Sequence, residues 1–332
     1  MLPILTADEF NVRRRERLLD FALYASEAED LARRIPRVGR NLADPEWMAE
    51  KDLSDAMNMA DSRAHNAARF LALSYSAGVE IDQLCAYFPT VVDYWEDYAA
   101  RARAFDESAE YEGSWVANFA LLGSDYAIVN RVVSLGILLG WTQLLPRLAT
   151  VIDYRNPQMD GLLERLMQAF VPGRPPPPDE CTRHLPYFKT LKIFAASEQE
   201  RPAMLAEYLA EWYEASRRES YYDSHKNNST FSGYWSWEAA AITLVLQIDD
   251  AGYRDATFYP ADLVAFAREK VGVTLGRNTN VAGILRARSG DVCPETGLWE
   301  TLNLPAERKV FQKGEIMSQV TSPYGITVWT FV

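Results

Sequence analysis

Apolar residues recur at the three- and four-residue intervals of an α-helix through most of the first 280 residues. The pattern is clearest in residues 202–217, where four apolar side chains fall at i, i+3, i+4 and i+7. These side chains are Leu205, Tyr208, Leu209 and Trp212. A second stripe on another face of the same predicted helix is acidic and consists of Glu207, Glu211 and Glu214. The spacing therefore predicts a mainly α-helical protein built from amphipathic helices.

Local start and stop signals bound several of the predicted helices. Asp44, Pro45 and Glu46 supply a capping side chain, a first-turn proline and an N-terminal acid to a helix predicted over 47–76. Gly78 is a suitable stop for that helix, because glycine readily takes the left-handed conformation of a helix C-terminus. Further helices are predicted at 81–103, 112–140, 144–152, 161–170, 185–196, 235–247 and 260–271.

The composition of the sequence changes after about residue 286, where proline, glycine and threonine become frequent. Residues 326–331 alternate at period two, which is typical of a strand, and 309–311 with 315–317 are predicted to form a hairpin. The predicted fold is therefore mainly α, with multi-helix domains and a small β-rich C-terminal module. The expected division is an N-terminal helical domain at 1–172, a C-terminal helical domain at 173–285, and the β-rich module at 286–332.

The charge balance indicates what the protein binds. The chain has 34 basic and 46 acidic residues, a formal net charge of −12. A field of that sign repels the phosphate backbone, so direct nucleic-acid binding is not expected. The same field steers a basic partner into contact, and many nucleases are basic because they must attract nucleic acid.

Cysteine usage and hydropathy indicate a reduced, cytoplasmic protein. Three cysteines are too few and too scattered for a disulfide framework, and the first 20 residues lack the order of a signal peptide. The longest apolar run, 132–141, is far shorter than the roughly 20 residues that span a bilayer, so no membrane contact is expected. Cys181 and His184 have metal-ligand spacing but no second ligand pair, so no metal or cofactor is predicted.

The sequence favours a binding protein over an enzyme. Two other classes of function stay open, a hydrolase and a helical scaffold protein. A hydrolase would use His225 with nearby carboxylates, yet no G-x-S-x-G elbow accompanies them. A helical scaffold protein is the other interpretation that stays open. The expected class is therefore a binding protein rather than an enzyme, and a homodimer is an open alternative.

One segment carries a distinctive motif. Residues 233–241 read GYWSWEAAA, residues 248–250 read IDD, and residues 259–263 read YPADL. The segment resembles the PoNi-like immunity proteins of bacterial polymorphic toxin systems, whose second domain carries these three elements in this order. The resemblance implies a protein that binds and blocks a cognate toxin. The toxin would be encoded by a neighbouring gene, most often be a nuclease, and be delivered by a secretion system such as type VI.

Candidate toxin-binding residues follow from the acidic segments and from the motif. Residues 92–112 carry seven acids against two arginines, and residues 198–223 and 238–262 each have a net charge of −4. The candidates are Asp93, Glu96, Asp97, Glu207, Glu211, Glu214, Tyr234, Trp237, Glu238, Asp249 and Asp250. For the aromatic residues the sequence leaves two interpretations open, a core plug between helices or an interface hot spot.

Overall fold

The computed structural model describes residues 1–108, 125–154, 156, 159–226, 231–270, 286–301, 307–320 and 327–331. Its contacts separate two compact units. The first comprises residues 1–170 and 176–273, and the second comprises 171–175 and 274–332. The helices on both sides of the proline-rich segment therefore share one unit, and the predicted boundary between residues 172 and 173 stays a prediction.

The first unit is helical, which confirms the predicted fold class. Its α-helices are α1 Ala7–Arg13, α2 Phe21–Ala43, α3 Pro45–Met48, α4 Leu53–Ala77, α5 Ile81–Asp106, α6 Asp125–Leu138, α7 Leu145–Asp153, α8 Gly161–Met167, α9 Leu191–Ala195, α10 Arg201–Ala215, α11 Trp237–Val245 and α12 Ala261–Lys270. Short 3₁₀ turns lie at Thr142–Leu144, Tyr187–Thr190 and Ser224–Lys226. Residues 112–124 of the helix predicted at 112–140 lie outside the described residues.

The helix predicted at 47–76 is two helices, because two aspartates each cap a start. Asp44 accepts hydrogen bonds from the backbone N–H groups of the short α3, which has proline in its first turn. Asp52 accepts from the N–H of Asp55 and begins α4. The predicted stop is confirmed, since Gly78 lies in the left-handed region with φ of +102°.

The core of this unit is built around α4 and α11. Helix α4 packs against α2 and α5, and its last seven residues, Leu71–Ala77, are all buried. Helix α11 packs against α6 and α12, and it is buried on every side from Trp237 to Leu244. A helix that is apolar all round must lie inside a protein rather than on its surface. The motif segment is thus placed in the interior.

The second unit contains a four-stranded antiparallel sheet, as predicted for the C-terminal module. Its strands are β1 Arg286–Arg288, β2 Gly297–Thr301, β3 Arg308–Phe311 and β4 Val328–Phe331, in the order β1-β4-β2-β3. The strand predicted at 326–331 is confirmed for residues 328–331, whereas residue 326 lies outside the described residues. Trp299, Phe311 and Trp329 form the centre of its apolar core.

The predicted hairpin between residues 309–311 and 315–317 does not form. Phe311 instead pairs with Gly297 on β2, and Ile316 makes an isolated bridge with Val292. Burial gives the reason, because pairing β3 with β2 places Phe311 beside the fully buried Trp299 in one core. Short-range alternation identified the strand correctly but could not identify its partner.

The described helices include none that is both long enough and apolar enough to cross a membrane.

A substitution at Gly78 tests how α4 ends. A methyl group built on this residue would lie 2.4 Å from the backbone oxygen of Arg13, and its positive φ also disfavours any residue with a Cβ. We expect Gly78→Ala to lower the free energy of unfolding by more than about 1 kcal/mol. The matched control is Gly252→Ala, because a methyl group there meets no atom within 4 Å. Denaturant unfolding of both variants makes the comparison, and equal stabilities would contradict this view of the turn.

Candidate functional site

The carboxylate of Glu238 is a buried meeting point of three parts of the helical unit. Its Oε1 accepts hydrogen bonds of 2.7 Å each from Tyr208 Oη, Trp212 Nε1 and Ser236 Oγ. Its Oε2 accepts one of 3.0 Å from Asn130 Nδ2. These donors lie on α6, on α10 and immediately before α11. Because Glu238 is only 1% exposed, its carboxylate fixes these elements to one another and does not face a partner.

The aromatic residues of the motif are also interior. Tyr234 and Trp237 are 2% and 5% exposed. Trp235 and Trp237 both pack edge-on against the ring of Tyr75 on α4, with centroids 5.1 and 5.2 Å away. Trp235 Nε1 also donates to Ser76 Oγ at 2.9 Å. Of the two interpretations that the sequence left open, the structure places these side chains as a core plug between helices.

Asp250, the second acid of the IDD element, is buried and ion-paired. Its carboxylate accepts hydrogen bonds from Arg254 at 2.9 Å, from Arg268 at 2.7 Å and from Tyr259 at 3.2 Å. Burial alone would raise the pKa of Asp250, but the hydrogen bonds and charges of the two arginines together hold that pKa below its usual value. Asp249 by contrast is exposed and caps the following turn through the N–H of Ala251.

Asp262 is a structural residue that the sequence analysis did not single out as a candidate. Its carboxylate accepts hydrogen bonds from the hydroxyl of Tyr75 and from Arg15 Nε. Arg15 also lies over the ring of Tyr75 and donates to the carbonyl groups of Tyr75 and Val79. The YPADL element therefore joins α12 to the N-terminal helices. The only signal in the sequence was its place in the motif, because its partners are about 190 and 250 residues away in the chain.

The acids of the first acidic segment are already paired within the protein. Asp93 and Glu96 both bind Arg147, with N–O distances of 2.8 Å. Asp97 binds Arg63 at 2.6 Å and Arg101 at 3.0 Å. Three carboxylates thus meet three guanidinium groups. This face is close to neutral locally, although the linear sequence makes it the most acidic segment.

The acidic stripe of α10 has a different environment. Its apolar stripe is buried as predicted, which turns Glu207, Glu211 and Glu214 outward, and all three are exposed. Glu211 forms an ion pair with Lys189, and that hydrogen bond lowers the pKa of Glu211. Glu214 lies 4.0 Å from Arg217, and both of these side chains are well exposed. Glu207 has no hydrogen bond or ion pair to any residue that the structure describes.

The eleven predicted toxin-binding residues therefore separate into groups. Four are buried in the helical unit, and three are paired on α5. Four exposed acids remain, namely Glu207, Glu211, Glu214 and Asp249. The buried group consists of Tyr234, Trp237, Glu238 and Asp250. These four side chains are enclosed by other residues of the helical unit, so they support the surface and do not form part of it.

A groove of about 700 Å³ lies beside the motif. His225 lies in its wall together with Tyr213 and Tyr234. The Nδ1 atom of His225 is 2.7 Å from the hydroxyl oxygen of Tyr234, whereas Asp223 accepts hydrogen bonds from Tyr213 and Lys226. Within the described residues, the hydrogen bonds of His225 therefore join it to Tyr234 and not to the carboxylate that a hydrolase would need.

Cys181 and His184, the pair with metal-ligand spacing, both lie in the helical unit. Burial, with the nearby charge of Asp160, raises the pKa of the Cys181 thiol to about 12, so it is protonated at neutral pH. His184 packs against Phe188, with ring centroids 4.7 Å apart. Within the described residues, no group of three or more His, Cys, Asp or Glu side chains is arranged to hold a metal ion.

Removing the buried carboxylate tests its structural role. Glu238→Ala leaves four buried donors without their acceptor, and we expect it to lower the free energy of unfolding by about 3 kcal/mol or more. The matched control is Glu207→Ala on the exposed face of α10, for which we expect a change within about 0.5 kcal/mol. Urea unfolding followed by tryptophan fluorescence measures both. Similar values for the two variants would contradict the assignment of Glu238 as a structural centre.

The neighbouring aspartates give a test in pH. Since the folded-state pKa of Asp250 is depressed, its ion pairs stabilise the protein above the usual aspartate pKa near 4 and this stabilisation is lost as pH falls through the folded pKa. We expect Asp250→Asn to be less stable than the wild type by about 1–3 kcal/mol at pH 7. The difference should shrink as the pH falls from about 5 towards 3. Asp249→Asn is the control, and a difference that stays constant with pH would contradict the proposed linkage.

The sequence profile of the family described as PoNe immunity proteins (PoNi), C-terminal, matches residues 158–263. No curated protein matches the chain. Among solved structures, the chain is similar to "The Crystal Structure of Protein PA2201 from Pseudomonas aeruginosa", with 21% sequence identity and a TM-score of 0.64. That similarity covers 81% of this chain and 98% of the other, and at this identity it shows a shared fold.

The matched segment contains α10, α11 and the whole motif, with both Glu238 and Asp250. Two of their hydrogen-bond partners, Asn130 and Arg268, lie outside it. The profile match confirms, over residues 158–263, the resemblance to PoNi-like immunity proteins that the motif of residues 233–263 predicts.

Proposed function

We propose that this protein binds a bacterial toxin and neutralises it without catalysis. The observation that carries the proposal is the match of residues 158–263 to a family of immunity proteins. The toxin we propose is a nuclease encoded by a neighbouring gene and delivered between bacteria by a type VI-type secretion system. The net charge of −12 supports a basic partner, since opposite charge accelerates association and favours the correct partner over others.

We place the docking surface on the exposed acidic face of α10, defined by Glu207, Glu211 and Glu214. This face lies within the matched segment, whereas the acids of α5 lie outside it and are paired with arginines. A toxin lysine or arginine would meet Glu207 without displacing an existing partner. Helix α10 is also anchored from behind, because Tyr208 and Trp212 bond to the buried Glu238, so the acids are presented on a rigid element.

Two modes of inhibition are compatible with this surface. In the first, the acidic face occupies the nucleic-acid cleft of the toxin and replaces the phosphate groups of the substrate. In the second, the face binds beside the catalytic centre and blocks its entry or closure. The spacing of Glu207 and Glu214, seven residues apart on one helical face, favours the first mode because it repeats negative charge along a line.

Charge reversal on this face tests the surface. The double variant Glu207→Lys with Glu214→Lys should raise the dissociation constant for the toxin by at least about tenfold at low salt, mainly through slower association. The difference should become smaller at high salt, because screening weakens exposed charge pairs. The measurement is calorimetric and kinetic titration with the catalytic domain of the neighbouring gene product at two salt concentrations. Duplex DNA added to the same titration separates the two modes. It should compete with this protein for the toxin in the first mode, in which both occupy the nucleic-acid cleft, and not in the second.

The matched control has the same net charge as the double variant of α10. Glu29 and Glu50 are exposed acids outside the matched segment, so Glu29→Lys with Glu50→Lys changes the net charge equally. We expect this control to bind the toxin nearly as tightly as the wild type. Equal weakening in both double variants would mean that net charge alone acts and would remove the α10 face. Failure of the wild type to bind at either salt concentration would contradict the immunity function for that toxin.

A further inference from the structure

One arginine of α6 has no ion-pair partner among the residues that the structure describes. Arg131 is partly buried, and its Nε atom is fully buried with no hydrogen-bond partner. Within the described residues, no carboxylate forms an ion pair with it. Arginine is protonated at neutral pH, so Arg131 holds a positive charge in the helical unit that no described carboxylate pairs directly. Such charges are normally paired because desolvation strongly disfavours them.

Arg131 lines two cavities. The first is a small polar cavity of about 20 Å³ that Glu238 also lines, although no hydrogen bond joins Arg131 to Glu238. The second is an open cavity of about 350 Å³, which Arg69 also lines. Arg69 forms an ion pair with Glu27, which compensates its charge. The wall of the larger cavity therefore carries the positive charge of Arg131, in a protein whose overall charge is strongly negative.

The remaining lining of this cavity is mixed, because Ala127, Ile128 and Gly233 lie there beside several hydrogen-bonding side chains. The hydrogen-bonding groups include the amide of Asn66 and the hydroxyl groups of Ser220, Ser224 and Ser232. A guanidinium group with several hydroxyl and amide groups is the donor set that suits a tetrahedral oxyanion. The cavity volume is within the range of about 300–1,000 Å³ that is usual for small-ligand sites, which leaves room beyond a single phosphate.

We propose that the cavity lined by Arg131 and Arg69 binds the phosphate group of a small anion. Arg131 holds the phosphate oxygens with its guanidinium fork, and the serine and asparagine side chains donate to the remaining oxygens. The site lies in the first unit and is distinct from the acidic face of α10. It is therefore a second binding function, and its existence does not depend on the proposed toxin. Free phosphate and a phosphorylated metabolite are the two sources of this chemistry.

Calorimetric titration of the full chain tests the site. The probes are inorganic phosphate, adenosine monophosphate, adenosine and acetate, each at the same ionic strength in a phosphate-free buffer. We expect phosphate and adenosine monophosphate to bind, and adenosine and acetate not to bind. Tighter binding of adenosine monophosphate than of phosphate would identify a phosphorylated metabolite as the ligand, and the reverse would identify free phosphate. Equal binding of acetate, or no binding of either phosphate probe, would overturn the proposal.

Two variants and a control assign the binding to Arg131. Arg131→Met should weaken phosphate binding by at least about tenfold, because the guanidinium fork is lost. Arg131→Lys keeps the charge but not the fork, and should weaken binding by a smaller factor. The control Arg37→Met removes an exposed arginine of α2 and should leave binding unchanged. Circular dichroism checks that each variant is folded, and equal phosphate affinities for Arg131→Met and Arg37→Met would overturn the assignment.

The stability of Arg131→Met without phosphate is an independent readout. Since the substitution replaces an unpaired, partly buried charge by an apolar side chain, this variant should melt no lower than the wild type in phosphate-free buffer. Saturating phosphate should then raise the melting temperature of the wild type by at least about 2 °C and that of the variant by much less. An equal rise in both proteins would indicate a general salt effect and overturn the proposal.

Discussion

Four donors converge on the carboxylate of Glu238, and the arrangement of the helical unit depends on this group. Asn130, Tyr208, Trp212 and Ser236 bring α6, α10 and the start of α11 to one buried point. A buried carboxylate is tolerated only when its lone pairs are satisfied, so the geometry of these elements is tightly specified. The same contacts hold α10 from behind and leave its acidic face outward.

Two further carboxylates extend this anchoring to the rest of the motif. Asp250 joins the turn after α11 to α12 through Arg268, and Asp262 joins α12 to α4 and the N-terminal segment through Tyr75 and Arg15. The distinctive residues of the motif are therefore mainly those that assemble the interior. They would affect the binding of a partner indirectly, because they position the surface residues that they support.

Arg131 is the counterpart of these satisfied carboxylates, since its charge has no partner within the described residues. Its position beside an open cavity with hydroxyl and amide groups is the basis of the proposed phosphate site. In these proposals the two surfaces recognise different chemistry, a basic protein on the α10 face and a phosphate group in the cavity.

The sequence by itself determined the helical class, the strands β3 and β4 of the C-terminal module, the stop at Gly78 and the outward acidic stripe of α10. Each of these depends on spacing within one element or on one residue's backbone preference, and such signals are local. Tertiary structure decided which acids are available: Arg147 neutralises Asp93 and Glu96 from 50 or more residues away. It also decided that β3 pairs with β2, and that Glu238 and Asp250 are interior. Linear charge counts cannot detect a distant guanidinium group, because ion pairing and burial depend on contacts that only the folded chain creates.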